Sequence, residues 1–580
     1  MQLYPIWFVI LGIVIYALAY YVYARWYDRN VWEPDPKRAT PAHMYMDGIT
    51  FFPVGKWVLY GFQFKGIAGL GPILGPFIGL FYGWLPALLW LLIGNFFIGW
   101  IHDYSVLFLS VRNEGKTLGP LSYELISPRA RKALIGFLFF YLILLIAVFD
   151  VLCSVFFMVY PQSVLATTLM FIGGIIAGVL MYKARAGVAT STIIGVIITI
   201  IGIVAGIYLP LAYKNLGFWV VYTSILLLIG GTVSLMYVTQ PVVYIGSFPA
   251  IAGIILLIIG GLLSPATGVP IEQPAWGGVF GMLGGMKAKS IWTPGPIWPI
   301  LTVSIACGAI SGWHSLVSSS GSAPLLDVET DALPVGAGSM LTEGLLALAS
   351  LSAYMVLTPE EVAAAHGVKW TALVTGASKL VAPWTGGEAA WGWTVPFYGF
   401  WLEVYALTLA MLAVRFFWMV WADITGAKPI ISNKYVGSII GLIIGGILAY
   451  TGAWINLWLL FGGSNQLLAG LALTLVSLYL AKIKKPSKYT LGPAIFMIIT
   501  CEAALLWEGI AMLRAVVLGT PIAKGPLATL IKQGVAWAKA AALTLNGVFG
   551  AFGIVLFILG LIVVIDASKA FARVRKAEAE

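Results

Sequence analysis

Apolar residues in this chain come in runs of about 20, long enough to cross a hydrocarbon layer as helices. Runs near 5–24, 60–81, 84–110, 133–159, 164–182, 188–209, 217–238, 245–263, 296–319, 335–357, 396–421, 434–451, 455–480, 491–514 and 542–566 predict about fifteen transmembrane helices. Residues 369–382 are apolar but short and contain Lys379, so they read as re-entrant or interfacial. The fold class is therefore an all-α polytopic membrane protein. The chain divides into a first span with its cytoplasmic linker (1–58), a core with interrupted spans and long external loops (59–395), and a C-terminal set of helices with a basic tail (396–580).

Some runs are interrupted. The segment from Gly61 to Gly83 carries Gly66, Gly69, Gly71, Pro72, Gly75 and Pro76 in its middle. Glycine costs about 1 kcal/mol and proline about 3 kcal/mol in a helix interior, so a continuous helix is not expected here. Broken backbone persists at membrane depth only where protein buries it or where it lines a cavity, and in transporters such breaks hold substrate and coupling ions. The competing reading is close helix packing through small residues, which the two prolines serve poorly. A second interruption runs from Cys307 to Pro324, where Ser315, Ser318 and Ser319 share one helical face. Their hydroxyls are hard oxygen ligands suited to a small cation, unless they bond back to their own helix. Gly230–Gly231 marks a further mid-span break, and Asn465–Gln466 sets two amides beside Gly462–Gly463. Amides need partners in hydrocarbon, and these two either bind substrate or clamp helices.

Composition agrees with the class. Of 580 residues 60% are hydrophobic and 10% charged, far from the roughly 25% charged of soluble domains. Lys and Arg concentrate in alternate loops, which predicts an outside N-terminus and a cytoplasmic C-terminus in the cytoplasmic membrane. The basic tail needs no nucleic acid to explain it. The span at 5–24 lacks a basic leader and reads as retained. The external loops 264–295 and 358–395 carry Trp276, Trp292, Trp384, Trp391 and Trp393, as interfacial anchors or as a vestibule. Cys153, Cys307 and Cys501 each lie in a span, which gives neither a disulfide framework nor a metal site.

Ionisable residues inside spans are costly and default to functional or paired roles. They are His102, Asp103, Asp150, His314, Glu343, Glu403, Arg415, Glu502 and Glu508. Asp150 and Glu343 have no partner nearby in sequence and are proton-carrier candidates. His314 is a relay candidate, since histidine titrates near neutrality. Asp103 is a coupling candidate or an interfacial acid. Lys65 adds charge at the first break or anchors a cytoplasmic helix end. There is no His-Glu-x-x-His, Gly-x-Ser-x-Gly or Walker A sequence, so the chain is expected to be no enzyme and to need no cofactor or metal. An ion gradient, not ATP, would supply the energy.

The stretches Trp57–Pro76, Gly83–Trp90, Ile101–Asp103, Ile305–Ser319, Gly338–Gly344 and Phe461–Ala469 together resemble the carbon starvation protein A family of membrane transporters. The resemblance runs in order from about residue 45 to 480. It implies uptake of peptides or of pyruvate, coupled to protons, under nutrient limitation, on a five-plus-five inverted-repeat core with extra flanking helices. The chain departs from the family pattern at Gln240–Tyr244, Leu407–Ala410 and Gly321–Pro324, which bears on the ligand. In that architecture 60–81 counts as the first span, 217–238 as the sixth and 296–319 as the eighth. The first and sixth would make the substrate site, the first and eighth a cation site. The expected function is ion-coupled import of small organic solutes through the bilayer, with Lys65, Gly69, Gly71, Pro72, Gly75, Gly230, Gly231, Asn465 and Gln466 at the substrate. Either His314, Asp150, Glu343 and Asp103 carry H+, or Ser315, Ser318 and Ser319 bind Na+. A channel, or a membrane-embedded nutrient sensor, are the competing classes.

Overall fold

The computed structural model describes the chain except residues 1, 284, 285, 288–294, 366, 367, 427, 451–453, 524 and 580. It is helical throughout, apart from a hairpin pairing Met282–Leu283 with Met286–Lys287. Eleven of the described helices are long and apolar enough to cross a membrane. In chain order the main elements begin with α1 (Ile6–Trp32), α2 (Lys56–Ile67), α3 (Gly71–Gly79), α4 (Trp84–Arg112) and α5 (Pro128–Val159). Then follow α6 (Ser163–Lys183), α7 (Val188–Tyr208), α8 (Leu216–Thr232) and α9 (Leu235–Thr267). The second interrupted segment is α10 (Ile297–Ser304) and α11 (Gly312–Leu316), and α12 (Ser339–Met355) comes next. The C-terminal part holds α13 (Lys369–Thr385), α14 (Trp391–Thr425), α15 (Lys434–Tyr450), α16 (Trp454–Lys482), α17 (Lys488–Val517), α18 (Gly525–Lys532) and α19 (Ala536–Ala579).

Both main interruptions have local causes. Ala68 turns extended after α2 (φ −72°, ψ 103°), and Pro72 falls in the first turn of α3, where its missing N–H costs nothing. Ser311 is extended before α11 (φ −147°, ψ 134°), after a single turn at Ala306–Gly308. The two breaks face each other. A Cβ on Gly71 would lie 2.3 Å from Cys307 Sγ, and one on Gly75 2.7 Å from the Ser304 carbonyl oxygen. Only glycine allows this approach. Trp100, Trp313 and Trp401 are fully buried, and Trp313 lies at the first break.

Two expectations change. Gly230 and Gly231 do not break a span: α8 runs through them, and the chain turns later, at an extended Ser234. Their missing side chains let α14 approach, with Met411 against both. Residues 358–395 are not an open loop but hold Pro359–Ala364, α13 and the start of α14. The short apolar stretch at 369–382 is helical, as part of α13. Trp292 lies outside the described residues.

Candidate functional site

α4, α11 and α12 converge beside the first break, and each brings titratable groups. His102 and Asp103 are neighbours on α4, with His102 Nδ1 2.7 Å from Asp103 Oδ1. Asp103 Oδ2 is 2.9 Å from His314 Nδ1 on α11, and His314 Nε2 is 2.9 Å from Glu343 Oε2 on α12. That last contact is out of line for a directed hydrogen bond and becomes an ion pair when His314 is protonated. At the other end, His102 Nε2 is 2.8 Å from Ser315 Oγ. With Nδ1–H donated to Asp103, Nε2 accepts the Ser315 hydroxyl. All five side chains are fully buried. Acid and base alternate from Glu343 to His102, so each imidazole can take a proton at one nitrogen and release one at the other.

The freed backbone of the first break is largely spoken for. Trp313 Nε1 donates to the Gly66 carbonyl at 2.7 Å. Lys65 Nζ donates to the Ala68 carbonyl at 2.9 Å and lies 4.0 Å from the centroid of the Tyr405 ring. Lys65 is buried and within electrostatic range of Glu343, so it is no anchor at a cytoplasmic surface. The amides at 69–71 are those released at the N-terminus of α3, where the helix presents positive partial charge. Gly69, Gly71, Pro72 and Gly75 are all buried. Gly69 faces Leu409 of α14, and Gly71 faces Cys307.

Asn465 on α16 completes the wall around the second break. Its Oδ1 accepts from Tyr141 Oη at 2.7 Å and from the Trp313 amide at 2.8 Å, and its Nδ2 donates to Ser311 Oγ at 3.0 Å and lies 3.4 Å from Cys307 Sγ. Gln466 also faces Cys307, and its Oε1 has no partner among the described residues.

The serine face does not form as a unit. Val317–Ser322 winds as a π-helix, which breaks the α-helical register. Ser315 meets His102, Ser318 accepts from Gln63 Nε2 at 2.9 Å, and Ser319 bonds back to the Ser315 carbonyl at 2.6 Å. The hydroxyls are spent on three separate partners. Glu343 and Asp150, which have no partner nearby in sequence, each meet a residue of another helix. Asp150 sits apart from the four-residue chain, on α5, and accepts from Ser224 of α8 at 2.9 Å. Asp103 is no interfacial acid, being fully buried.

Sequence reasoning missed Gln63, which also accepts from Ser322 Oγ at 2.5 Å, and Tyr141. It missed Asn95, whose Nδ2 bridges the Gly308 and Met340 carbonyls at 3.2 and 3.1 Å. Each is a polar side chain inside an apolar run, the signal that could have found them. No group of three or more His, Cys, Asp or Glu arranged for a metal occurs among the described residues.

A helical membrane protein whose interrupted spans meet beside a buried chain of acids and imidazoles has the build of an ion-coupled transporter. The chain belongs to the carbon starvation protein CstA family, whose model matches residues 4–368 and 360–504. It is 27% identical to the peptide transporter CstA of Bacillus subtilis, covering 98% of this chain and 97% of that protein. It is 28% identical to the peptide transporter CstA of Campylobacter jejuni, covering 89% and 82%. To the pyruvate/proton symporter BtsT of Escherichia coli it is 30% identical over 61% of this chain and 49% of that one. A solved structure of a mutant manganese transporter from Eremococcus coleocola covers 90% of this chain and is itself covered over 99%. Its identity is 11% and its TM-score 0.44, an overlay too loose to bear on the site.

Proposed function

We propose that this chain is a proton-coupled importer of small carboxylate-bearing nutrients, short peptides or pyruvate-like monocarboxylates, in the cytoplasmic membrane. The observation that carries it is the buried series His102–Asp103–His314–Glu343, lying against the broken segment of α2 and α3. The substrate carboxylate meets the amides at 69–71 at the N-terminus of α3, with Asn465 and Gln466 facing it across Cys307. Lys65 contributes by holding the Ala68 carbonyl and so the shape of the break. Gly230 and Gly231 act through the packing of α8 on α14.

Protons, not sodium, are the coupling ion in this reading, because the hydroxyls of Ser315, Ser318 and Ser319 are directed to different partners. The two shorter apolar helices, α8 and α15, and the two broken segments, added to the eleven long helices, support fifteen crossings. With the Lys and Arg bias this gives an outside N-terminus and a cytoplasmic C-terminus. The relatives named as peptide transporters and as a pyruvate/proton symporter support both the substrate class and the ion.

Proteoliposome uptake tests the reading. Labelled pyruvate and a labelled dipeptide are each offered under an imposed proton gradient or an imposed sodium gradient. Saturable accumulation of one of them, driven by protons alone, is expected. Accumulation driven by sodium alone, or flux that only equilibrates, refutes it.

A further inference from the structure

A second set of buried acids lies outside the chain that ends at Glu343. Asp150 on α5 and Glu403 on α14 are both fully buried, on helices that pack together. The two carboxyl groups are within electrostatic range of each other. Asp150 Oδ2 accepts from Ser224 of α8, but its Oδ1 has no partner among the described residues, and the oxygens of Glu403 meet only the weak donor Cys153 Sγ. The other titratable groups in range are Cys153 on α5 and Tyr222 on α8, both neutral donors at ordinary pH. Lys65 of α2 does not serve them: its Nζ donates to the Ala68 carbonyl and is in range of Glu343. Two carboxylates buried together without a cation repel each other and pay the full cost of desolvation. Carboxyl groups so placed favour the uptake of a cation, a proton being the smallest.

We propose that Asp150 and Glu403 form a second proton-binding site of this transporter, one of the two carboxyl groups carrying an exchangeable proton. An O–H bond forms on one carboxylate oxygen when a proton arrives from water, and that bond breaks when the proton leaves. The inference adds a site to the proton-coupled reading above and rests on it for its role in transport. The protonation itself needs no substrate.

Infrared spectroscopy of the full chain in lipid tests it, recorded in water and in deuterium oxide, from neutral to alkaline pH, in sodium and in choline buffers. A protonated-carboxyl band is expected that shifts in deuterium oxide and fades as pH rises. One component of it should be missing from D150N/E403Q and kept in E343Q. A band unchanged in D150N/E403Q overturns the proposal. So does one that neither exchanges nor titrates, which marks a permanently neutral structural acid. A band present in choline and suppressed by sodium overturns it in favour of a metal-cation site. Should the double variant not fold, D150N and E403Q singly carry the test, and a band untouched by either refutes it. Uptake that fails while this band behaves as expected counts against the transport reading and not against the site.

Discussion

Replacing Gly71 with alanine puts one methyl group into the meeting point of the two broken segments. The new Cβ lies 2.3 Å from Cys307 Sγ and 2.6 Å from Cys307 Cβ. Ordinary contacts between such atoms are about 3.5–4.0 Å, so one side must give by about an ångström. Cys307 cannot swing freely, since its sulfur faces Ser311 Oγ at 3.6 Å and Asn465 Nδ2 at 3.4 Å. Overpacking of this kind costs about 1–3 kcal/mol. Falling on the conformation described here, in which the breaks touch, that cost corresponds to roughly a 5- to 150-fold change in its population. Gly71→Ala should therefore lower the initial uptake rate within that range and lower the apparent melting temperature in detergent. Cys307→Gly removes both clashing atoms, so Gly71→Ala/Cys307→Gly should recover most of both losses relative to Cys307→Gly alone. If Gly71→Ala transports and melts like the parent, or if Cys307→Gly fails to rescue it, the two breaks do not touch as described.

Three further outcomes follow from other parts of the molecule. Glu329 is buried and takes Arg112 Nε and Nη2 at 2.5 and 2.8 Å and the Asp35 amide at 2.8 Å, tying residues 33–55 to the segment before α12. Charged hydrogen bonds contribute about 1.5–3 kcal/mol, so Glu329→Gln should speed proteolysis of that linker severalfold, and an unchanged cleavage rate argues against a clasp. Cys307 is partly accessible while Cys153 and Cys501 are buried. A maleimide should label Cys307 first, and bound substrate should slow it; labelling indifferent to a transported substrate removes Cys307 from the site. Asp47 is exposed; slight desolvation raises its pKa, but three amides at 2.8 Å more than offset this and hold it below the ordinary aspartate range. Its contribution to the 47–51 turn is complete above an unfolded pKa of about 4 and lost as pH falls through the lower folded value. Proteolysis within this turn should rise in acid, and Asp47→Ala should abolish that pH dependence.

The membrane class and the location of the first break were legible because each depends on local composition. Twenty apolar residues define a helix, and Gly69 to Pro76 forbid an uninterrupted one. Gly230–Gly231 was misread for the same local reason. Two glycines look like a break, yet α8 tolerates them because Met411 fills the space they leave. The serine face failed because it assumed α-helical spacing across Val317–Ser322, where the helix is wound as π. The link from Asp103 to His314 and on to Glu343 joins three helices. No pattern along the sequence records such a crossing. What the chain did record was the anomaly itself, an acid or imidazole within hydrocarbon, which marks the residue without naming its partner. Asn95, Gln63 and Tyr141 carried the same mark in weaker form.

The central claim is that the protons driving uptake pass through His314 and Glu343. The most direct test compares two modes of the same proteoliposomes, substrate exchange at equal pH on both sides and net accumulation under an imposed proton gradient. Glu343→Gln and His314→Asn should keep exchange within a few-fold of the parent and lose gradient-driven accumulation. Undiminished accumulation in both variants would contradict the account.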